Sequence, residues 1–213
     1  MAALGVDISE FNGDFFISRE LDFIIIRAGD GDYWDARVQQ NIDKANRENV
    51  PYGLYWLIRD HRIANAEATA SELCRFADKQ RVKPTVGIWC DVEDEYDRDP
   101  SEAIPYVNAF CATVEDCGFY AGIYCNYWYH DHLYPALSKY DCWIADWDED
   151  PETDPGVGTM KQYSTSNGVL DRNVCFVPLS TYQIIKDEKP LTLEQRVKIL
   201  EDKIKEIERK LSK

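Results

Sequence analysis

Short apolar runs and longer amphipathic stretches alternate along this chain from residue 4 to about residue 177. Runs rich in β-branched and aromatic residues at 4–8, 23–28, 52–58, 85–91, 119–125, 141–145, 159–163 and 173–177 read as eight strands. Phe23-Ile24-Ile25-Ile26-Arg27-Ala28 is almost continuously apolar, as a strand covered on both faces should be. Helical patterns fall between the runs, at about 36–48, 64–79, 100–117 and 126–137. Gly118 stands where the left-handed residue after a helix belongs, and Pro135 is expected to break the last helix late. Beyond residue 145 comes a Pro/Gly/Asp-rich loop at 148–158, and the last two strands arrive without long helices. This rhythm predicts βα units and a parallel sheet. The expected fold is α/β: an irregular TIM-like (β/α) barrel with reduced helices in its last units. A doubly wound open sheet is the competing architecture. No Gly-rich phosphate loop follows the first strand, which speaks against a nucleotide-binding version.

The C-terminal segment follows another rule. Leu193, Val197, Leu200, Ile204, Ile207 and Leu211 are spaced alternately four and three apart, a heptad seam of under three heptads. The chain therefore divides into a barrel domain, 1–185, and an amphipathic helix, 186–213. Self-association through the seam, giving a homo-oligomer, is the first expectation. Packing back on the barrel and linkage to a further module are the alternatives.

With 213 residues, 45% of them hydrophobic, the chain can bury one substantial core. It has no apolar stretch of about 18 residues, so no membrane insertion is expected. The net charge is −15. Residues 186–213 carry nine basic and seven acidic side chains, leaving 15 basic against 32 acidic in the barrel domain. Such an acidic domain is a poor ligand for nucleic-acid phosphates or anionic membranes. The seven cysteines are odd in number and scattered through apolar runs, as reduced core thiols are, rather than a disulfide framework or zinc site. Met1-Ala2-Ala3-Leu4 enters the first strand with no basic region before it, so no secretory leader is expected and synthesis belongs in a reducing cytoplasm.

The candidate chemistry lies at strand ends. Asp91 and Glu93 are two residues apart at the end of the fourth strand, so both project to one face, about 6–7 Å apart along the backbone. Like charges so placed repel, and one carboxyl is driven to keep its proton. That is the condition for an acid beside an ionised neighbour. In a closed barrel, functional groups collect at the C-terminal strand ends. Asp7 closes the first strand, and Tyr55 lies late in the third. Tyr124 and Asn126 close the fifth, Asp146 and Trp147 the sixth, Gln162 and Tyr163 the seventh, while Asp171 and Asn173 flank the last. Carboxylates and rings converging on one rim describe a carbohydrate site: rings take the C–H faces of sugars, and carboxylates and amides take the hydroxyls. No metal and no cofactor are required. His130 and His132, two apart, share no helical face, and Asp148, Asp150, Glu152 and Asp154 lack the Gly and Glu of a calcium loop.

Seven fragments carry a family resemblance: Gly5-Val6-Asp7-Ile8-Ser9, Tyr52-Gly53-Leu54-Tyr55-Trp56, Trp89-Cys90-Asp91-Val92-Glu93, Gly122-Ile123-Tyr124-Cys125-Asn126, Trp143-Ile144-Ala145-Asp146-Trp147, Gln162-Tyr163-Ser164 and Leu170-Asp171-Arg172-Asn173. In this order, each on its own strand, they resemble the glycoside hydrolase family 25 lysozymes, the Chalaropsis-type muramidases. The resemblance covers roughly residues 4–176. It implies hydrolysis of the β-1,4 bond from N-acetylmuramic acid to N-acetylglucosamine in bacterial peptidoglycan. It also implies a phage or prophage endolysin, made in the host cytoplasm without a signal peptide and acting on the wall after release. Glu93 is then expected as the general acid. Asp91 is expected to stay ionised, either supporting the 2-acetamido group as internal nucleophile or attacking the anomeric carbon. Asp7 and Asp171 are expected to flank them and tune their proton affinity. Tyr55, Tyr124, Trp147 and Tyr163 are the expected walls, and Asn126, Asp146, Gln162 and Asn173 further substrate-binding groups. Two readings compete: a chitinase-like barrel glycosidase, and a non-catalytic carbohydrate-binding barrel displayed as an oligomer.

Overall fold

The computed structural model describes residues 2–59, 63–80, 84–93, 99–165 and 170–183. The heptad segment 186–213, His61 and the acidic residues Asp94, Glu95 and Asp97 lie outside the described residues.

The elements in chain order are β1 (Ala3–Ile8), β2 (Phe23–Asp30), β3 (Tyr33–Trp34), α1 (Val38–Glu48), β4 (Tyr52–Leu57), α2 (Ile63–Asp78), β5 (Ile88–Val92), α3 (Ile104–Asp116), β6 (Ala121–Asn126), α4 (Tyr127–Leu137), β7 (Asp141–Ala145), β8 (Met160–Ser164) and β9 (Asp171–Cys175). Among the described residues, eight of the nine strands close on themselves in the cyclic order β1-β2-β4-β5-β6-β7-β8-β9, β1 pairing with both β2 and β9. The expected α/β barrel is therefore the fold, and each of its eight strands coincides with a run read from the sequence to within a few residues. Among the described residues four α-helices cover β2 to β7, and β7 is joined to β8 without an α-helix.

The sheet is not wholly parallel. β9 runs antiparallel to both β1 and β8. The cause is connection length. Only residues 165–170 separate β8 from β9, and a parallel return needs a crossover of roughly a dozen residues or more. A second departure is β3, which folds back on β2 as a hairpin around Gly31-Asp32, with Gly31 at φ +59°. A two-residue turn of this kind requires positive φ, which glycine supplies without strain. Pro135 does not end α4, which continues to Leu137. Gly118 has φ +77° directly after α3, as the pattern anticipates.

The core has two layers. Outward-facing residues such as Ile24, Ile26, Leu54, Cys90 and Ile123 meet the helices. Inside the barrel, Phe23, Ile25, Trp89, Trp143, Met160 and Tyr182 fill the lumen. Trp89 is the central plug, with Trp143 and Tyr182 ring centroids 6.0 and 5.6 Å away. Gly122 makes room for it: a Cβ there would collide with the Trp89 ring. All seven cysteines are free and six are buried. No helix of the described residues is long and apolar enough to cross a membrane.

One charge interrupts the apolar second strand. Arg27 is 5% exposed and donates to Asp35 at 2.8 Å and to Glu10 at 2.9 Å. A buried guanidinium is tolerated only when so paired. The pairs tie the loop after β1 and the start of α1 to the barrel, and the loop's Phe11 ring lies 4.7 Å from the guanidinium carbon.

Candidate active site

Strand alternation builds a cleft at the C-terminal ends of the parallel strands. On β5, Trp89 faces the lumen, Asp91 lies one pleat higher, and Glu93 follows just past the strand end. The cleft has a volume of about 500 Å3. Among the described residues its carboxyl groups are Asp7, Asp91, Glu93 and Asp171. Tyr55, Tyr124, Trp143 and Trp147 supply rings, and Arg59, Asn126, Gln162 and Thr165 complete the lining. The Tyr124 and Trp143 ring centroids are 4.5 Å apart, forming one aromatic floor. A larger cavity of about 680 Å3 adjoins the cleft through the shared Arg59 but holds none of those four carboxyls.

Desolvation falls unevenly on the carboxyls. Asp91 is 3% exposed, and its Oδ1 has no hydrogen-bond partner among the described residues. Burial, reinforced by the negative charges of Glu93 and Asp7, pushes its carboxyl well above the usual range, with Arg59 opposing. Glu93 stands exposed at the lip. Burial thus favours the protonated form of the inner carboxyl, whereas the sequence reading expects an ionised Asp91. Asp7 is raised from 3.8 to about 7, by burial first and the Asp171 charge second, while hydrogen bonds from Asn173 and Gln162 pull it down. Burial also raises Asp171, which a hydrogen bond with Asp7 lowers. The Tyr55 and Tyr124 hydroxyls are pushed up by burial and by the surrounding carboxylates, so both remain neutral donors. Raised proton affinities gathered in one cleft are a pattern that concentrates at catalytic sites.

Other side chains expected at the rim lie elsewhere. Asp146 follows the lumen-facing Ala145 and takes the opposite face, accepting from the Tyr127 hydroxyl at 2.9 Å. Tyr163 alternates with Gln162 along β8 and does not line the cleft. Asn173 is fully buried beneath the cleft, bonded to Asp7. Arg59, Trp143 and Thr165 line the cleft although the sequence reading does not single them out. A signal for Trp143 exists, because two residues before the inward Ala145 it shares that face. Arg59 lies past the end of β4, where no parity rule applies. Its guanidinium donates to both oxygens of Asp30, at 2.7 and 3.1 Å.

Trp147 sits on the loop after β7, which a buried ammonium holds. Lys161 is wholly buried and donates to Asp148 Oδ2 at 2.7 Å, the Asp150 carbonyl at 3.0 Å and the Thr153 carbonyl at 3.1 Å. All three of its donors are thereby used. Among the described residues no group of three or more His, Cys, Asp or Glu is placed to hold a metal ion.

A closed β/α barrel with clustered carboxyls and rings at its C-terminal rim places the chain in the architectural class of the barrels that carry their sites on that rim. The sequence model for glycosyl hydrolases family 25 matches residues 6–171, and the chain belongs to that family. No curated protein matches it. Among solved structures it is similar to the modular autolysin LytC of Streptococcus pneumoniae, solved with a synthetic peptidoglycan ligand, at 24% identity and TM-score 0.68 over 81% of this chain and 46% of that one. The chain thus spans about half the length of that autolysin. It is also similar to a bacterial lysozyme of Streptomyces coelicolor, at 21% identity and TM-score 0.69, covering 85% of this chain and 95% of that one. The catalytic domain of endolysin ply40, from bacteriophage P40 of Listeria monocytogenes, matches at 20% identity and TM-score 0.66, covering 85% and 96% respectively.

Proposed function

We propose that this protein is an N-acetylmuramidase that hydrolyses the β-1,4 bond between N-acetylmuramic acid and N-acetylglucosamine in bacterial peptidoglycan. The observation that carries the proposal is the placement of Asp91 and Glu93 on one face at the end of β5, with Asp7 and Asp171 lining the same cleft, in a chain of glycosyl hydrolases family 25. Glu93, at the lip, donates its proton to the glycosidic oxygen as the bond to the leaving sugar breaks. The carbonyl oxygen of the substrate's own 2-acetamido group closes on the anomeric carbon. Asp91, deeper in the cleft, orients that group. The Glu93 charge is one of the causes that hold a proton on Asp91, so once Glu93 is protonated Asp91 can ionise and offset the positive charge the group acquires. Water then opens the resulting ring, giving its proton back to Glu93. A bound glycan displaces water from the lip and dries Glu93, which favours its protonated form. Tyr55, Tyr124 and Trp147 pack the sugar faces, and Asn126 offers an amide at the rim.

The same proposal places the enzyme's action at the cell wall, after synthesis in a reducing bacterial cytoplasm and release, as for a phage or prophage endolysin. Seven free cysteines agree with that route. It also includes self-association through the seam at 193–211, to be tested by sedimentation of the full chain beside one ending at residue 185. The reaction itself is tested by mass spectrometry of fragments released from purified peptidoglycan. New reducing ends at N-acetylmuramic acid are expected from the wild type and not from Glu93→Gln. Near-normal release by Glu93→Gln would remove Glu93 from its role, and release of nothing by either protein would sink the reaction.

A further inference from the structure

Gln162 and Asn173 stand where a sugar ligand would be sought, yet their amides are already committed. Trp143 Nε1 donates to Asn173 Oδ1 at 2.8 Å. Trp147 Nε1 donates to Gln162 Oε1 at 2.7 Å, and the Tyr124 hydroxyl donates to the same oxygen at 2.9 Å. An indole N–H can only donate, so each amide must turn its oxygen to the indole and its NH2 away from it. Both NH2 groups then converge on one atom. Gln162 Nε2 and Asn173 Nδ2 reach Asp7 Oδ1 at 3.0 and 2.7 Å. With Oδ1 accepting two N–H groups, a proton on Asp7 has only Oδ2 to occupy.

We infer that Gln162 and Asn173 are positioning residues that act through Asp7, fixing its Oδ1 as a double acceptor and leaving Oδ2 for Asp171 and the cleft, rather than ligands of the sugar. Two tryptophans set the orientation of the whole relay. One of them, Trp147, is 60% exposed on the cleft wall. The ring available to stack on a sugar is therefore also the donor that holds Gln162 in place, so contact at the wall and the geometry of Asp7 are mechanically joined.

The relay sets the sign of a pH effect. Hydrogen bonds to the ionised form lower a carboxyl's proton affinity, and here they oppose burial and the Asp171 charge. The other titratable or charged groups around Asp7 are Asp91 and Glu93 at β5, Tyr55 on β4 and Tyr124 on β6. β2 contributes Arg27, which is taken up by Glu10 and Asp35. Removing either amide donor leaves all of these in place and raises Asp7, and the titration of its neighbour Asp171 moves with it.

The test is 13C NMR titration of the Asp7 carboxyl, assigned with Asp7→Asn, in wild type, Gln162→Met, Asn173→Leu and Asn173→Ala. It is read beside kcat and KM on peptidoglycan across pH, and this kinetic arm rests on the proposed reaction. Each substitution is expected to move the Asp7 titration upward by about one pH unit or more, to shift the corresponding limb of the kcat profile the same way, and to lower kcat at least tenfold. KM should change less than threefold. An unmoved Asp7 titration overturns the inference, as does a rise in KM with kcat and pH profile unchanged, the signature of a sugar ligand. Asn173→Ala removes a donor without adding bulk or charge and decides the matter if the larger apolar variants do not fold. Should the wild type release nothing from peptidoglycan, the proposed reaction fails, while the NMR titration, which needs no substrate, still judges the relay.

Discussion

Asp7 and Asp171 are register partners across the antiparallel seam where β1 meets β9, so two carboxyls from opposite ends of the barrel sequence stand side by side. Neither could be placed there by local structure. The seam supplies a geometry in which one proton serves two acids, and it ties the stability of the fold to the state of its active site.

The first prediction concerns that tie. The folded Asp7 titrates near 7 and its ordinary value is 3.8. A raised folded value means the unfolded chain loses this proton more readily. The penalty is absent below about pH 4, grows as pH rises, and is complete above about pH 7. Its ceiling is about 4 kcal/mol at roughly 1.4 kcal/mol per pH unit. Urea denaturation at pH 4.5 and 7.5 should show Asp7→Asn losing less stability than wild type over this interval. It should exceed wild type at the higher pH while having lost activity. A fall as steep in the variant as in wild type would contradict the assignment.

Trp147 tests the wall. Because the ring is mostly exposed, Trp147→Ala should leave the melting temperature within a few degrees of wild type. Loss of one sugar-stacking ring should raise KM for soluble peptidoglycan fragments about tenfold, equivalent to about 1.4 kcal/mol. An unchanged KM would show that sugars do not lie against this ring.

Arg27→Leu should be among the most damaging changes away from the cleft. It would leave the Asp35 carboxylate, whose side chain is wholly buried, without its guanidinium. Breaking a buried pair from one side costs about 3–5 kcal/mol. Chemical denaturation measures the loss directly. Arg27→Leu with Asp35→Asn, which removes the buried charge and keeps an acceptor for the Glu10 and Arg37 backbone N–H groups, should recover part of it.

Lys161→Met should loosen the loop that carries Trp147. The carbonyls of Asp150 and Thr153 and the Asp148 carboxylate would lose a common donor, at about 2–4 kcal/mol in total. Limited proteolysis should then cut within 148–158 well before the wild type is touched. Equal cutting rates would place the loop's order elsewhere.

Much of this architecture is readable from pattern because its signals are local. Period-two alternation in β5 is enough to put Asp91 and Glu93 on one face, and β-branched runs mark the barrel strands. Legibility ends where locality does. Asp146 and Tyr163 lie at the right height but on the wrong face, because height follows from nearness to a strand end while the face follows from parity with Ala145 and Gln162. The reversal of β9 is implicit in the short stretch between residues 164 and 171, but the parallel rhythm of the earlier units masks it. Arg27 reads as an anomaly within an apolar run, because its partners Glu10 and Asp35 come from two separate loops. The orientation of Gln162 and Asn173 leaves no local trace, as it depends on indoles 15 and 30 residues away.

Closure of the barrel by β9 also has a consequence for synthesis. Contacts spanning 155 and 166 residues, from Asp7 to Gln162 and to Asn173, hold the site together. Pairings this distant in sequence form slowly, after the nearer ones. A ribosome that has made only the first 160 residues holds a chain lacking β9, Asp171 and both amides that grip Asp7. The nascent product holds Asp91 and Glu93 but not the partners of Asp7, and the cleft is assembled only after the last strand has emerged and docked.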